Sequence, residues 1–569
     1  MSRFSPEEKT LLAPYVSSAD DDIFAVTGLA GIVGAVYARY SRAQGGFRET
    51  LLKEFIKEGV IDAAKAQDLI ERVLIAYGDD SVGELEGAHM SFENISILAT
   101  KEIEDRRIGG SPIEQSTRYV FYDQKDADGN FRYYRDPAVM ASAHAGAYVE
   151  TMDFIFQTYC DLVEPMKAYY SGLKPMSEAK YAIRTDENGE PLKILYAECK
   201  DEKEQKAFRI TYGSDIRTKA CDALRALLPI ATKTNVGIFG NGRFFQNVLS
   251  HCYTSNIPEV QDVASRTQTA LNKVIPRYVK RAARNKYVTT VHDNMSALSA
   301  RLFADVAPSA EKDNVTLVDD DAEAIAKALN SRTGGVPNYA NAIRSVLASE
   351  KDLLTVSAML YPYLRHPLRQ IQAVLRKHPR SVLDEVIAAY VGTRKTRRDR
   401  PGRALEAGYP YTFDLVTDFG TYKDLERHRM CTQLRQKFTP TLGFDMPQDL
   451  VTAGFADKVL ACIERAKALY DRLLADFPEQ ASYATLHGSQ VRWSLGINDR
   501  ALMHMIELRT QPAGHPSYRK VCQQMHGKIS ERSAWRGEAI AFADHGDYFW
   551  SRGDAEAKQR VKEAALDRT

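Results

Sequence analysis

The sequence of 569 residues contains the same series of motifs twice. Four blocks of the first half return in the same order in the second: VLIAYG as VIAAYVG, ELEGAHMSFENI as ALEAGYPYTFDLV, IEDRRI as LERHRM, and GNGRFFQNVLSHC as INDRALMHMIELR. A spacing of hundreds of residues is that of whole domains and not of a short-period solenoid. The chain is therefore expected to hold two domains of one fold, which arose by tandem duplication.

The distance between equivalent blocks shows where the two copies differ in length. It is 322 residues between the IEDRRI and LERHRM blocks but 257 residues between the two Asn-Arg blocks. The first copy therefore carries an insertion, near 170–215, where RTDENGEPLKILYAECK combines turn residues with alternation and predicts a hairpin. Pro, Ser and acidic residues gather at 307–324, which indicates a join there. The two domains are accordingly expected at 1–309 and 310–569.

The hydrophobic periodicity predicts a mixed structure. Patterns such as DKVLACIERAKALYDRLLADF have the period of long helices, whereas HMSFENISIL and YPYTFDLV have the period of strands. The expected fold class is α+β, with two similar domains that each combine long helices with a small sheet.

Composition excludes several classes of protein. The 76 basic residues nearly balance the 75 acidic ones, which argues against a nucleic-acid partner bound over the whole surface. Seven scattered cysteines without C-x-x-C indicate a reduced chain, and no histidine spacing predicts a metal site. The start of the chain lacks a signal-peptide core, and no stretch is a convincing membrane span. A cytoplasmic protein is expected.

Two further features carry candidate chemistry. The loop RRIGGSPIEQSTRY, residues 106–119, concentrates arginines and hydroxyls around a Gly-Gly turn, a composition suited to binding an anion. Asn241 and Asn498 each precede an amphipathic pattern as helix N-caps. Arg509 follows Asn498 by eleven residues, so both lie on one face of a continuous helix. Taken alone, these Asn residues are better explained by a capped amphipathic helix packed in the core.

Together these motifs resemble those of the flavin-dependent thymidylate synthases, the ThyX family. That family has R-H-R-x-x-S-x-x-E-x-S-x-R-Y on its loop and Asn-x-Arg-x-x-x-Asn-x-x-x-x-Arg on its helix. The first copy offers Asp105-Arg106-Arg107, then Glu114, Ser116, Arg118 and Tyr119, and the helix residues Asn241, Arg243, Asn247 and Cys252. The second offers Arg427-His428-Arg429 and the helix residues Asn498, Arg500, His504 and Arg509.

Both copies depart from the family pattern. The loop of the first copy is one residue longer, and Cys252 replaces the last arginine of its helix. In the second copy, the position of the loop serine falls on Lys437 by counting or on Arg435 by pattern, and the sequence leaves both open. The losses are complementary, because the first copy keeps the loop and the second keeps Arg509.

The resemblance implies that FAD, reduced by NADPH, helps to transfer a one-carbon unit from methylenetetrahydrofolate to C5 of dUMP. It assigns the nucleotide to Arg107, Glu114, Gln115, Ser116, Arg118, Tyr119 and Arg509, with Arg509 and Ser116 as catalytic residues. It assigns FAD to Asn241, Arg243, Asn247, Arg427, His428, Arg429, Asn498 and Arg500. Glu114 either orients a sugar hydroxyl or pairs with a neighbouring arginine.

In the family the site lies between subunits, so one composite site made by both copies is expected, with a homodimer imitating a tetramer. Two alternatives stay open. The protein alkylates another pyrimidine with a flavin, or it is a non-catalytic descendant that binds nucleotide or RNA or serves as a structural partner. The basic stretch 394–403 is either a solvated loop or a site for a polyanion.

Overall fold

The computed structural model describes residues 4–41, 44–57, 59–71, 80–187, 190–286, 313–317, 374–394, 403–406 and 411–553, with 288–289, 293, 348–349, 351–353, 355–357, 359–360 and 555–557. The expected boundary between residues 309 and 310 lies outside the described residues and stays a prediction. Of the basic stretch 394–403, the described residues are Arg394 and Arg403.

The first copy forms these elements among the described residues. Its strands are β1 (Ile56–Lys57), β2 (Val60–Ile61), β3 (Gly87–Ser96), β4 (Gly110–Glu114), β5 (Lys180–Thr185), β6 (Pro191–Leu195) and β7 (Lys233–Asn241). Its helices are α1 (Pro6–Leu12), α2 (Val33–Tyr40), α3 (Phe47–Thr50), α4 (Ala63–Glu71), α5 (Ile97–Glu104), α6 (Pro137–Met140), α7 (Ala145–Leu173), α8 (Glu202–Leu224), α9 (Gly242–Thr254), α10 (Pro258–Leu271) and α11 (Pro276–Val279).

The second copy repeats the pattern in shorter form. Its strands are β8 (Val315–Leu317), β9 (Tyr411–Asp418), β10 (Cys431–Arg435) and β11 (Gln490–Ile497). Its helices are α12 (Arg380–Val391), α13 (Phe419–Leu425), α14 (Gln448–Thr452), α15 (Ala456–Leu474), α16 (Asp499–Arg509), α17 (Pro516–Arg532) and α18 (Ala534–Ala539).

The two sheets have the same topology. The central strand β7 pairs with β3 and β4, and β11 likewise pairs with β9 and β10, all antiparallel. β8 adds a fourth strand beside β9. Burial alternates strictly along β11, so one face of the sheet packs on the core. The expected α+β class with two similar domains is confirmed.

The two helices that follow the central strands begin as the sequence predicts. The Asn241 Oδ1 accepts a hydrogen bond from the Phe244 N–H at 2.8 Å, and the Asn498 Oδ1 accepts one from the Ala501 N–H at 3.0 Å. An N-cap satisfies an N–H group that has no partner within the helix. Both caps therefore fix where α9 and α16 leave their strands.

The segment between the long helix and the central strand distinguishes the copies. In the first copy, β5 and β6 form the predicted antiparallel hairpin. Helix α8 follows and runs to Leu224, so the added structure extends beyond the predicted limit of 215, and a 3-10 turn at Arg225–Leu227 ends it. Because α8 packs along α7, it brings residues 222–225 to the boundary between the copies.

The two copies are joined by their backbones. The Ile230 N–H donates to the Thr485 carbonyl at 2.8 Å, and the His487 N–H donates to the Leu228 carbonyl at 2.9 Å. These segments precede the two central strands at equivalent places. The bonds are buried and directional, so they fix the orientation of one copy against the other.

A buried cluster of charges lies where α5 meets α13. The Lys101 ammonium contacts Glu104 of its own helix, Glu114 at 3.3 Å and Glu426 of the second copy at 3.2 Å. The Lys423 ammonium, at the place equivalent to Lys101, contacts Glu114 at 3.1 Å. Buried charges are tolerated only when each has a partner, so the cluster couples the two copies.

Replacing Glu426 by glutamine should flatten the dependence of stability on pH. Burial raises the pKa of Glu426 from 4.5 to about 7 despite the nearby Lys101. The protonated form therefore stabilises the fold fully below about pH 4.5, and this contribution is lost as the pH rises through 7. The wild-type chain should lose up to about 3 kcal/mol between pH 5 and 8 that the variant keeps.

Urea denaturation of Glu426→Gln at both pH values measures this difference. Glu479→Gln is the matched control, because Glu479 pairs with the exposed Lys437. Equal losses of stability in the wild type and Glu426→Gln between pH 5 and 8 would contradict the prediction.

Among the described residues, no helix is both long and apolar enough to cross a membrane.

Candidate functional site

The two arginine loops contact each other. The Arg107 guanidinium donates to the Cys431 carbonyl and to the Gln433 side chain, each at 3.2 Å. In return, the Arg429 Nη2 donates to the Ser111 Oγ at 2.5 Å. Arg107 is thus held by the second copy, and the loops form one surface across the copies.

A cavity of about 490 Å³ opens beside the loop of the second copy. It is lined by Arg427, His428 and Arg429 of the R-H-R motif and by Asn498, Arg500 and Arg509 around helix α16. The five cofactor residues that the sequence assigns to this copy therefore lie around one cavity. Their assignment to FAD itself stays a prediction.

Two residues that line this cavity, Arg509 and His428, contact each other. The Arg509 Nε–H donates to the His428 Nε2 at 2.9 Å. Burial, and then the charge of Arg509, lower the pKa of His428 well below its ordinary value. His428 is therefore neutral with its proton on Nδ1, and it fixes the direction of the Arg509 guanidinium.

Arg394, the first residue of the basic stretch, also faces this cavity. Its guanidinium binds both carboxylate oxygens of Glu507 at 2.6 Å, and both side chains are buried. For this residue the prediction of a solvated loop is wrong, since a bidentate carboxylate replaces its water.

The corresponding helix of the first copy has a different environment. Arg243 and Asn247 are exposed, and Arg243 pairs with Glu84. Cys252 is buried. In the part of the chain that the structure describes, Asn241, Arg243 and Asn247 do not line the 490 Å³ cavity.

Arg118 of the first copy is buried and reaches the second copy. Its Nε and Nη2 donate to the two carboxylate oxygens of Asp222 at 2.9 and 3.1 Å, and its Nη1 donates to the Tyr518 hydroxyl at 3.0 Å. The Arg118 and Arg509 guanidinium groups lie 5.4 and 5.6 Å from the centre of the Tyr518 ring. The loop of one copy and the helix of the other therefore meet at one tyrosine.

A second cavity, of about 550 Å³, lies between the copies and is lined by Asp222, the partner of Arg118. Asp222 and Arg225 line it from the end of α8, and His487, His515 and Lys520 line it from the second copy. The Arg225 Nη1 donates to Asp424 at 3.0 Å, while its Nη2 is buried and has no hydrogen-bond partner among the described residues. This buried donor suits an anionic ligand, while Asp418, Asp445, Asp449 and Asp547 also line the cavity.

His487 adds an acceptor to this second cavity. Its Nδ1 lies 2.6 Å from the Leu228 carbonyl, which identifies Nδ1 as the protonated nitrogen. Burial lowers the pKa of His487 to about 3, so the ring is neutral. Its buried Nε2 has no partner within the described part of the chain and is available to a hydroxyl or N–H donor.

A comparison of sequences identifies the family. The pattern of the family described as thymidylate synthase complementing protein matches residues 32–277 and 393–533, which together exceed half of the chain. The chain belongs to this family. Because both copies match, the resemblance to the ThyX enzymes and the tandem duplication are confirmed.

Three curated proteins are similar to this chain over nearly the full length of both partners. A UPF0159 protein of Chlamydia muridarum is 33% identical over 98% of this chain and 99% of its own. One of Chlamydia pneumoniae is 33% identical over 98% of each chain. One of Thermoplasma acidophilum is 26% identical over 94% of this chain and 99% of its own. Their names state no activity.

The strand register settles how the family's loop motif aligns between the copies. Glu114 lies opposite Val236 in β7, and Arg435 lies opposite Trp493 in β11. Val236 and Trp493 are equivalent, since each precedes its Asn cap by five residues. Arg435 therefore occupies the position of Glu114, and Lys437 that of the loop serine.

At the equivalent position between the copies, charged side chains that line a cavity of about 480 Å³ are held in internal ion pairs. Arg435 binds Glu102, and the His251 Nε2 lies 3.0 Å from the same carboxylate. Burial alone would raise the pKa of Glu102, but the charges and hydrogen bonds of Arg435 and His251 outweigh burial and lower this pKa to about 2. Lys437 pairs with Glu479 at 2.9 Å. These charged groups are therefore bound to one another.

The remaining loop residues have local partners. Glu114 is buried between two lysines rather than beside an arginine. The Gln115 amide oxygen accepts from the Asn235 side chain at 3.0 Å, and the Ser116 Oγ accepts from the Arg118 N–H at 3.2 Å. The Arg552 guanidinium lies 4.8 Å from the centre of the exposed Tyr119 ring. Their roles toward a nucleotide stay predictions.

Asp222, Arg225 and Tyr518 are the site residues that sequence reasoning missed. Asp222 and Arg225 end the helix of the insertion, where DALRALL has the pattern of an ordinary amphipathic end. Tyr518 lies in α17, in no motif of the repeat. Only their positions in space connect them with Arg118.

Proposed function

We propose that the protein is an FAD-dependent thymidylate synthase that transfers a one-carbon unit from methylenetetrahydrofolate to C5 of dUMP, with NADPH as reductant. The reaction takes place at one composite site per chain. The first copy supplies the phosphate-binding arginines, and the second copy supplies Arg509 and the flavin cavity.

The observation that carries this proposal is the meeting of Arg118 and Arg509 at Tyr518. Each copy lacks part of the family motif, and the parts that remain come together here. In the other combination of loop and helix, Cys252 occupies the position of Arg509 and Lys437 occupies the position of Ser116. One complete site, and one equivalent place whose charged residues pair with each other, explain both sets of residues.

The 490 Å³ cavity suits a dinucleotide cofactor. Arg427, Arg429 and Arg500 offer guanidinium groups for its pyrophosphate, and the start of α16 adds a positive helix end. When bound, FAD would carry the hydride chemistry of the reaction. With its Nε bonded to His428, Arg509 presents its two Nη groups to a uracil carbonyl. Charge that develops on the ring during the reaction is stabilised there.

The 550 Å³ cavity suits the phosphate end of the nucleotide. Lys219 and Arg225 line it from the first copy and Lys520 from the second, and Asp222, which also lines it, is the partner of Arg118. The neutral His487 provides an acceptor for a sugar hydroxyl. This arrangement favours a nucleoside monophosphate over a free base.

We further propose that the enzyme is a cytoplasmic homodimer. Ile108 and Ile113 of one loop, with Met430 and Leu434 of the other, are about 70% exposed and form two equivalent pairs. These side chains lie on the two loops that already contact each other. Contiguous exposed apolar side chains mark interaction surfaces. The seven cysteines are free thiols, which suits a reducing compartment.

The test is reconstitution of the reaction with full-length protein. Protein purified without added cofactor should show flavin absorbance, and the released flavin should be FAD. With NADPH, methylenetetrahydrofolate and dUMP, product analysis should then detect dTMP.

Two results separate the alternatives. Flavin reduction without any dUMP-dependent product would favour another pyrimidine as substrate. Colourless protein that fails to bind added FAD would refute the enzymatic proposal and favour a non-catalytic nucleotide-binding protein.

A further inference from the structure

Asp222 is surrounded by arginines. Its carboxylate accepts both hydrogen bonds from Arg118, and the Arg552 Nη2 lies 3.6 Å away. Both guanidinium groups are buried, and Asp222 lines the 550 Å³ cavity with 14% of its side chain exposed. A single negative charge is therefore in contact with two positive ones.

Asp222 does not satisfy every buried donor near it. The Arg552 Nη2 is buried and lacks a hydrogen-bond partner among the described residues, since 3.6 Å is too long for a hydrogen bond. The Nη2 of Arg225, three residues after Asp222, is also buried without a hydrogen-bond partner among the described residues. Buried donors are normally satisfied. A phosphate monoester dianion offers a second charge and three oxygens, which fit these unsatisfied groups.

We infer that Asp222 stands in the place of a nucleotide phosphate, and that Arg118 and Arg552 bind this phosphate once the Asp222 side chain has turned into the cavity. The inference rests on the proposed function for the identity of the nucleotide. Arg552 lies beyond residue 533, where the match to the family pattern ends. The C-terminal segment thus completes an anion site that the family motif covers only in part.

Displacement of Asp222 has a cost that appears in the binding constant. A phosphate must break two charge-assisted hydrogen bonds between Asp222 and Arg118 before it forms its own. The empty site is preorganised in return, because Asp222 fixes the direction of the Arg118 guanidinium. Removing the charge of Asp222 while keeping its shape should therefore tighten phosphate binding.

Calorimetric titration of dUMP into the full chain tests this step. Asp222→Asn should bind dUMP about tenfold more tightly than the wild type and bind deoxyuridine, which lacks the phosphate, equally well. Asp262→Asn is the matched control, since Asp262 pairs with Arg266 on an exposed helix surface and does not line this cavity. It should leave dUMP binding unchanged. Unchanged or weaker binding by Asp222→Asn overturns the inference.

The role of Arg552 has its own test. Arg552→Gln should weaken dUMP binding about tenfold without changing deoxyuridine binding, and Arg552→Lys should restore part of the loss. If Arg552→Gln binds dUMP like the wild type, Arg552 is not a phosphate ligand. If it fails to fold, the comparison of Arg552→Lys with the wild type decides the same question.

Inorganic phosphate separates this inference from the proposed function. Suppose that the wild type and the variants rank in the same order for inorganic phosphate, but that dUMP binds no more tightly than phosphate. The anion site is then supported, and the assignment of a uridine nucleotide to it is wrong. If neither ligand binds any of the chains, both are wrong.

Discussion

Replacing Arg509 by alanine should lower the rate of dTMP formation about 10²–10³-fold and change dUMP affinity far less. The His428 ring and the Tyr518 ring hold this guanidinium in place before the substrate arrives. A preorganised charge acts mainly on the transition state, where negative charge develops on the uracil ring. Single-turnover rates and equilibrium titration of dUMP measure the two effects separately.

Cys252→Ala is the matched control, because Cys252 occupies the position of Arg509 in the other copy. It is buried in the core and should leave turnover within about twofold of the wild type. Lys437→Ala, at the position of the loop serine, should behave likewise. Turnover that survives Arg509→Ala but is lost in either control would contradict the assignment of the working site.

Mixing two inactive chains tests whether the site lies within one polypeptide. Arg118 and Arg509 face the same tyrosine of the same chain. A mixture of Arg118→Ala and Arg509→Ala chains should therefore remain inactive after dissociation and reassembly. Restored activity would show that one site takes its arginines from two chains.

Lys101→Met should destabilise the protein by about 3–5 kcal/mol at neutral pH. Its ammonium is fully buried and is the partner of Glu104, Glu114 and Glu426. Methionine keeps most of the volume, so the loss reports the uncompensated carboxylates rather than a cavity. Urea denaturation at pH 7 and pH 5 measures it, and the loss should be smaller at pH 5, where carboxylates take up protons.

Lys437→Met is the matched change at an exposed ion pair. The Lys437 ammonium lies 2.9 Å from Glu479, and 44% of the Lys437 side chain is exposed. Such pairs contribute below about 1 kcal/mol. If the two variants lose similar stability, the buried cluster does not hold the copies together.

Much of the fold follows from local patterns. The strands β3 and β9, the two Asn caps and the hairpin in the insertion each have signals within about ten residues, and all are present. The repeat itself predicts that both halves form the same sheet. Patterns of this kind work because each element is set by its own periodicity and turn residues.

The candidate site was only partly predictable. Arg427, His428 and Arg509 carry motif signals, and the structure places them around one cavity. Asp222 binds Arg118 across 104 residues and Arg225 binds Asp424 across 199, and no local pattern indicates either contact. The alignment of Lys437 required the register of a strand pair, which sequence spacing does not fix when the two loops differ in length.

The backbone bonds between the copies have a consequence for synthesis. Leu228 and His487 are 259 residues apart, so at about 5–20 residues per second the ribosome adds the partner of Leu228 roughly 10–50 s later. During that interval the nascent first copy carries unpaired backbone groups and half of a buried charge cluster. A neighbouring chain on the same polysome presents the same complementary segments. The fused gene product must therefore join its own halves faster than it exchanges them with a neighbour, and chaperone binding to residues 226–230 would favour the correct outcome.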